Sequence, residues 1–461
     1  MLGALAHQST QSLGEWSVDS SNPALNYRSV LMGFSLTIRV THMPNLAQLL
    51  NSKAPRPYQR VFEICREIAS NTSEIEQICV VGGVVRDLVI DREPGDIDLT
   101  VVGDAEQFAV ALAERLSALA PRASQFSTFK IPPSDASDTP EIDVVLARSE
   151  TYESPAALPT ISPSSIEEDL LRRDFTLNSM AISLRDSDFG NLIDPSGGFA
   201  DLIRKQIKIH HPDSFEDDPT RLFRTVRYAI RLGYKYEKAT LTAFVNSLEK
   251  VDLLSGTRVR NELLSIFGES QAGDILREME VRDLIAAISP ALRINSRSIE
   301  RFDQLPSNAS LITRLSVLTF GMNADEAKIA SDRMEGGQEW QDGIVGMAKL
   351  GEIASVLDQE SLKNSEIVDI LNGIHPDTIA AYILVGPPLP RRSRMSVYLD
   401  ELRNISPEIN GGDLIEIGVP QGPVMGKLLD LARRERLDGN VTTKAEELEL
   451  VRSRLPNFLL N

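Results

Sequence analysis

Between residues 77 and about 190, apolar positions fall in short β-branched runs interrupted by one amphipathic stretch, which predicts a mixed α/β unit. "QICVVGGVVRDLV" (77–89) reads as a strand, a Gly-Gly turn and the start of a helix. "DIDLTVVG" (96–103) and "EIDVVLAR" (141–148) read as further strands, with helical spacing in "AEQFAVALAERLSALA" (105–120) between them. The Pro/Ser/Asp-rich stretch 131–141 predicts a mobile loop. Beyond about residue 200 the strand signals largely stop. "DPTRLFRTVRYAIRLGY", "TRVRNELLSIF" and "NSEIVDILNGI" all carry the spacing of helices. Upstream, residues 1–43 read as an irregular extension, and 1–42 are expected to be a dispensable leader or an upstream mis-start. The pattern therefore divides the chain into an extension (1–43), an α/β head (44–190) and three helical parts (191–270, 271–385 and 386–461). The Pro-rich "GPPLPRRSR" (386–394) marks the last boundary.

Composition narrows the class. Of 461 residues, 42% are hydrophobic and 25% charged, the balance of a globular chain. No run approaches the roughly 20 apolar residues that span a bilayer, so no membrane partner is expected. Two cysteines, Cys65 and Cys79, make neither a disulfide framework nor a zinc site. With no targeting signal evident in residues 1–43, a reducing cytoplasm is the expected location. Five histidines with no His-Asp doublet argue against His-metal phosphohydrolase chemistry. The net charge of −18 leans against nucleic acid, because proteins that neutralise many phosphates are usually basic. A nucleic-acid partner would have to meet a local basic face on an acidic body.

Asp96 and Asp98 sit two apart on a predicted strand. Alternation puts both side chains on one face, about 6.6–6.8 Å apart along it, so that they can converge on metal ions. Asp143 opens the next β-branched run and could stand on an adjacent strand. Carboxylates suit Mg²⁺, a hard ion that shares its remaining positions with substrate phosphates, and a two-metal phosphoryl transfer needs this kind of cluster. An Asp-x-Asp at a strand end can equally be a solvated loop. Gly82 and Gly83 lie just upstream, in a strand-to-helix turn with Arg86 following, where backbone can approach a triphosphate at a helix N-terminus. The P-loop pattern is absent.

Two arginine groups follow. "LLRRDFTLNSMA" holds Arg172, Arg173, Asp174 and Asn178, and by itself reads as a capped helix with an internal ion pair. Arg221, Arg224, Arg227 and Arg231 fall at steps of three, three and four, within an arc of about 120° of one helix face. Stacked like charges cost a few tenths of a kcal/mol per pair. That cost is relieved if the stripe faces carboxylates or a polyphosphate. Asp218 and Arg221 present an acceptor and a donor fork that could read a nucleobase edge. Asp218 before Pro219 also reads as an N-cap with proline at N1.

Together these residues resemble the class II tRNA nucleotidyltransferase/bacterial poly(A) polymerase family. The motifs are "GGVVRD" with "DID" (82–98), "RRDFTLNSMA" (172–181), "DPSGG" (194–198), "DDPTRLFRTVRYAIRLG" (217–233) and "RVRNEL" (258–263), with a weaker match at "INGGDLIEIGVPQGPVMGKLLD" (409–430). The resemblance implies a nucleotidyltransferase head with a DNA polymerase β-like mixed sheet, followed by a mostly α-helical neck, body and tail. It implies that Asp96 and Asp98 hold the catalytic Mg²⁺ ions, and that Asp143 matches a usually acidic position. Gly82, Gly83, Arg86 and Arg173 would lie at the triphosphate, and Asn178 would position the sugar. Asp218 and Arg221 would select the base of CTP or ATP, supported by Arg224 and Arg227; the family usually has Glu where Asp217 stands. Arg391, Arg392 and Arg394 are candidate contacts to the tRNA acceptor arm, or else members of a solvated linker. The expected activity is addition of CCA to tRNA 3′ ends, with pyrophosphate released. The alternatives are CC-only or A-only addition, poly(A) synthesis, a small-molecule nucleotidyltransferase and an inactive RNA-binding scaffold. DNA is not an expected partner.

Overall fold

The computed structural model describes residues 27–31, 34–38, 45–124, 127–133 and 139–459. Within the segment expected to be irregular, strands β1 (Tyr27–Leu31) and β2 (Phe34–Ile38) form an antiparallel pair. The apolar and β-branched content of both runs suits strands. The rest of residues 1–43, and the centre of the 131–141 loop at 134–138, lie outside the described residues.

Contacts divide the chain into two compact units. One is Met1–Asp218 with Leu232–Ala243; the other is Pro219–Arg231 with Phe244–Asn461. In the first unit, helix α1 (Arg56–Asn71) carries proline in its first turn and buries Tyr58, Val61, Phe62, Cys65 and Ile68 along one face. There follow β3 (Ile75–Val81), α2 (Gly83–Val89), β4 (Ile97–Gly103) and α3 (Ala105–Leu116). Asp104 caps α3 by accepting from the Gln107 amide at 2.9 Å, and Ser117 ends it in the left-handed region. The remaining sheet strands are β5 (Arg122–Ala123), β6 (Thr128–Ile131) and β7 (Ile142–Leu146) and, beyond the separate hairpin β8 (Arg148–Thr151)–β9 (Thr160–Pro163), β10 (Ala181–Ser183) and β11 (Leu192–Ile193).

The seven strands lie in the order β11-β10-β3-β4-β7-β6-β5. Only β4 and β7 run parallel, in the register Ile97↔Ile142 and Asp98↔Asp143. The sheet is therefore mixed, as expected. Helix α4 (Ile166–Leu171) covers Cys79, Val81, Ala147 and Ala181 with Ile166 and Leu170. After it, a 3₁₀ turn at Thr176–Asn178 is pressed against α5 (Gly198–Ile203). A Cβ at Gly198 would stand 1.9 Å from the Thr176 carbonyl oxygen, so only glycine allows this approach. Asp194 caps α5 through the amides of Gly198 (2.7 Å) and Phe199 (2.9 Å), which gives the "DPSGG" motif its structural role.

Among its described residues, the secondary-structure elements of the second unit are all helices, joined by short loops. At its C-terminal end Ile409, Leu414, Val419, Leu428, Ala432 and Val451 form one apolar cluster. Glu447 is wholly buried there, accepting from the amides of Glu408 (2.8 Å) and Ile409 (3.0 Å) and from Arg436 (2.7 Å). The carboxylate is thus fully partnered, as a buried charge must be. No helix among the described residues is long and apolar enough to cross a membrane.

Candidate active site

The first unit gathers the carboxylates where β4 and β7 run side by side. Asp98 lies within β4, half-buried, and faces Asp143 as its Cα partner on β7; Asp96 stands exposed just before β4. Adjacent strands are about 4.8 Å apart, so the two in-register carboxylates crowd each other. Burial pushes the Asp98 carboxyl up to about 6; Arg173 opposes the shift, Asp143 and Asp96 add to it, and Lys130 opposes it. Asp96 is raised too, by partial burial and then by Glu141 and Asp143, against Lys130. Asp143 Oδ2 lies 3.0 Å from Lys130 Nζ, while its Oδ1 is buried without a hydrogen-bond partner.

This donor set fits a divalent metal ion. It is made of carboxylate oxygens, it carries more negative charge than its neighbours balance, and one buried oxygen is orphaned. The side chains do not converge on a single point: among the described residues no three His, Cys, Asp or Glu are placed to hold a metal together. Lys130 is a site residue that sequence reasoning misses. It sits on β6 opposite Asp143 and also holds Glu141 at 2.9 Å. Only the β6–β7 register brings it there, across a loop that carries no pairing signal.

The Gly-Gly turn closes on the same place. Gly82 has φ 75° and ψ −134°, and a Cβ on it would be 3.0 Å from Arg173 Nη1 and 3.3 Å from Asp98 Oδ2. Glycine, arginine and aspartate from three separate motifs therefore meet. The Gly82 amide donates to the Met180 carbonyl at 3.1 Å, so Gly82 supplies space rather than an anion donor. Gly83 starts α2.

Arg86 departs from its expected direct contact with the triphosphate. It is buried, and its Nε and Nη2 donate to Asp87 at 2.8 and 2.7 Å. Its Nη1 donates to Asn178 Oδ1 at 2.6 Å, and Asn178 Nδ2 in turn donates to Asp174 at 3.0 Å. A buried guanidinium needs such partners, and the network fixes the orientation of Asn178.

Arg173 is held differently. Ser165 caps α4 through the Glu168 amide, and Asp169, fully buried, takes Arg172 at 2.7 Å and Arg173 at 3.1 Å. The capped helix with its ion pair is thus present, and it aims Arg173 at Gly82 and Asp98. Burial alone would raise the Asp169 carboxyl, but Arg173 and then Arg172 outweigh it and hold the group below the usual range. Asp169→Asn removes the buried charge that Arg172 and Arg173 share, leaving Arg172 with Glu150 at 3.0 Å and Arg173 with Asp98 as its nearby carboxylate. It is expected to destabilise the fold by roughly 2–3 kcal/mol, less than a fully buried pair because both arginines keep some solvent. Urea unfolding at pH 7 checks this.

In the second unit the arginine stripe rides on α7, the helix Thr220–Leu232 that follows α6 (Ser214–Asp217). Arg221 is buried in its first turn, and the Thr225 hydroxyl donates to the Arg221 carbonyl at 2.6 Å. Arg227 stands 3.9 Å from both Glu262 and Glu269, and Arg231 Nε donates to Glu269 at 2.9 Å. Arg224, Arg227 and Arg231 place their guanidinia 5.9, 5.6 and 5.4 Å from the centre of the Tyr228 ring. Carboxylates and an aromatic face therefore relieve the C-terminal half of the stripe. Glu262 gives the "RVRNEL" motif its part in this. Asp218, in extended conformation (φ −140°, ψ 95°), closes the first unit, and Arg221 belongs to the second.

The tail arginines are not in a solvated linker. They lie on the helix Leu389–Asp400. Arg391 pairs with Asp358 and donates to the Tyr382 hydroxyl at 3.2 Å, and Arg394 donates to the carbonyls of Leu357 and Glu360. One turn apart, they face the same way and fasten this helix to the segment 357–360. Arg392 points elsewhere and is exposed. Arg391 and Arg394, both expected at RNA, are thus partly exposed and engaged in internal bonds.

A mixed sheet with carboxylates on adjacent strands, a glycine turn and a guanidinium beside them defines a nucleotidyltransferase head, and residues 78–208 match the poly(A) polymerase head domain. An A-adding tRNA nucleotidyltransferase of Geobacter sulfurreducens is 30% identical over 430 residues, 88% of this chain and 48% of that protein. A CC-adding tRNA nucleotidyltransferase of Deinococcus radiodurans is 32% identical over 206 residues, 44% of this chain and 53% of that protein. The solved structure of a CCA-adding enzyme in an apo form aligns with 90% of this chain and 100% of its own, with a TM-score of 0.71 at 27% identity. This chain thus spans about half the length of those two curated relatives. It belongs to the class II CCA-adding enzyme and poly(A) polymerase family.

Proposed function

We propose that this chain completes tRNA 3′ ends by adding at least the terminal adenosine. The observation that carries the chemistry is the meeting of Asp98, Asp143, Gly82 and Arg173. In the reaction the 3′-oxygen of the tRNA bonds to the α-phosphorus of ATP, the bond from that phosphorus to the bridging oxygen breaks, and pyrophosphate leaves. Asp96 and Asp98, with Asp143 beside them, would hold divalent metal, Mg²⁺ in this reading, which neutralises charge at the transferring phosphorus and lowers the pKa of the attacking hydroxyl. Arg173, fixed by Asp169, supplies a positive charge beside the glycine turn, where the triphosphate would lie. Arg86 orients Asn178 toward the sugar. Asp218 and Arg221 select the base, with Arg224 and Arg227 supporting them from α7, and Arg392 is the tail arginine left to meet RNA.

Terminal adenosine addition is common to the A-adding relative, matched over 88% of this chain, and to the CCA-adding structure, matched over 90%. The CC-adding relative is matched over only 44%. A second reading, addition of both cytidines from CTP as well, is favoured by the match to the CCA-adding structure.

Three tRNA transcripts, ending at the discriminator base, at C and at CC, test both readings with Mg²⁺ and CTP, ATP or the two together. One A on the CC-ended transcript, followed by a stop, is the expected result. Failure to extend it overturns the proposal. Two C and one A on the shortest transcript would extend it to the full CCA reading. Unlimited A addition to any RNA would make the chain a poly(A) polymerase.

A further inference from the structure

Tyr58 lies on α1, outside every motif that marks the site. Its ring is buried and meets Phe62 edge-on, with centroids 6.5 Å apart. Its hydroxyl donates to the backbone carbonyls of Pro94, at 3.0 Å, and of Gly95. The Gly95 carbonyl shares one planar peptide unit with the amide of Asp96, so holding that oxygen holds the plane from which Asp96 departs. On the other side of Asp96, the Ile97 amide donates to the Glu141 carbonyl at 2.9 Å. Asp96 is therefore suspended between two anchored peptide planes, one fixed by α1 and one by the chain entering β7.

Gly95 shows why the first anchor matters. It is exposed, it does not have positive φ, and a Cβ on it would meet nothing within 4 Å. Neither crowding nor a left-handed backbone calls for glycine here. What glycine does at this joint is loosen it, since its backbone has the widest choice of conformations. Left to itself, the segment before Asp96 would swing, and Asp96 has Asp98 two residues away and Asp143 and Glu141 nearby, all of its own charge sign. The Tyr58 hydroxyl is the restraint that the local sequence lacks.

We infer that Tyr58 is a positioning residue of the divalent-metal site, setting the Gly95–Asp96 peptide so that the Asp96 carboxylate is presented alongside Asp98. The inference rests on the assignment of Asp96 and Asp98 as metal carboxylates. It adds a contact from outside the sheet, of the kind whose loss typically weakens metal binding about 10–100-fold.

Mn²⁺ binding to the full chain, followed by electron paramagnetic resonance without RNA or nucleotide, tests it. Tyr58→Phe keeps the ring and removes only the hydroxyl. It is expected to weaken Mn²⁺ binding about tenfold, and its deficit in nucleotide addition should shrink as metal concentration rises. Tyr58→Phe combined with Gly95→Ala should regain part of the lost affinity, because alanine narrows the freedom of the joint without a clash. A merely structural loss would give no such recovery. Asp98→Asn serves as the control. If it binds Mn²⁺ like the parent, the metal assignment itself fails. If it loses binding while Tyr58→Phe keeps parental affinity, the role of Tyr58 alone is overturned.

Discussion

Asp98→Asn is expected to abolish nucleotide addition, by roughly a thousandfold or more, while leaving tRNA binding nearly unchanged. A metal-held carboxylate stabilises the transferring phosphorus by several kcal/mol, and about 4 kcal/mol corresponds to roughly a thousandfold in rate. Asparagine preserves the shape of the side chain and removes its charge. The same substitution should stabilise the metal-free protein near neutral pH. In the fold the Asp98 carboxyl is pushed up to about 6, chiefly by burial, against about 3.9 in an unfolded chain. Between those values the folded protein binds the extra proton, so the unfavourable contribution of Asp98 builds as pH rises from about 4 to 6 and is fully present above 6. The stability difference between Asp98→Asn and the parent is therefore expected to be largest at pH 7 and to shrink toward pH 4. Single-turnover addition assays and chelator-treated thermal unfolding at several pH values measure the two effects. Retained turnover in this variant would remove Asp98 from the metal site.

Much of this site is legible in the sequence because it depends on short-range geometry. The β-branched run after Asp96 marks β4, which carries Asp98, and the run after Asp143 gives it a strand of its own. Asp96, expected on the same strand face as Asp98, stands just before β4, so alternation does not set its direction. That Asp143 stands opposite Asp98 depends on the parallel pairing of β4 with β7, which no local pattern encodes. Lys130 is hidden for the same reason. Tyr58 is hidden differently: it occupies a core-facing position in an amphipathic helix, so burial already accounts for it, and its hydroxyl acts on backbone 36 residues away.

The arginines show where charge patterns mislead. Spacing alone leaves the stripe on α7 open between carboxylate and polyphosphate partners. From within the same unit Glu269 hydrogen-bonds Arg231, while Glu262 and Glu269 only offset the charge of Arg227 at 3.9 Å, its Nε being buried without a hydrogen bond. "GPPLPRRSR" reads as a linker because of its prolines. Yet proline is at home in a first helical turn, and Pro388 and Pro390 stand at the start of the helix that carries Arg391 and Arg394. Asp169 escapes notice for another reason. A single acidic residue inside "SIEEDLLRRD" looks like one more surface charge, and only its complete burial beneath two arginines reveals that it sets Arg173.

Gly82→Ala is the second substitution expected to have a large effect, because it acts on backbone and site at once. At φ 75° and ψ −134° the residue occupies a region that side chains rarely adopt, and imposing it on alanine costs about 1–3 kcal/mol. The added methyl would also arrive 3.0 Å from Arg173 Nη1 and 3.3 Å from Asp98 Oδ2. Arg173 is held by Asp169 on its far side, and Asp98 lies within a central strand, so neither neighbour can withdraw freely. The methyl must push the guanidinium out of line or twist the turn that begins α2. A displacement of about 1 Å at a reacting centre can cost on the order of a hundredfold in rate. Gly82→Ala is therefore expected to lower the melting temperature by several degrees and addition by about a hundredfold, measured well below the melting transition. Gly83→Ala supplies the contrast. Its φ is not positive, and a Cβ there comes no nearer than 3.5 Å to the Arg86 side chain. It should melt close to the parent and keep most of its activity. Equal losses in the two variants would mean that the turn acts through the approach of its backbone to phosphate, and that the space Gly82 leaves between Arg173 and Asp98 is not what the reaction depends on.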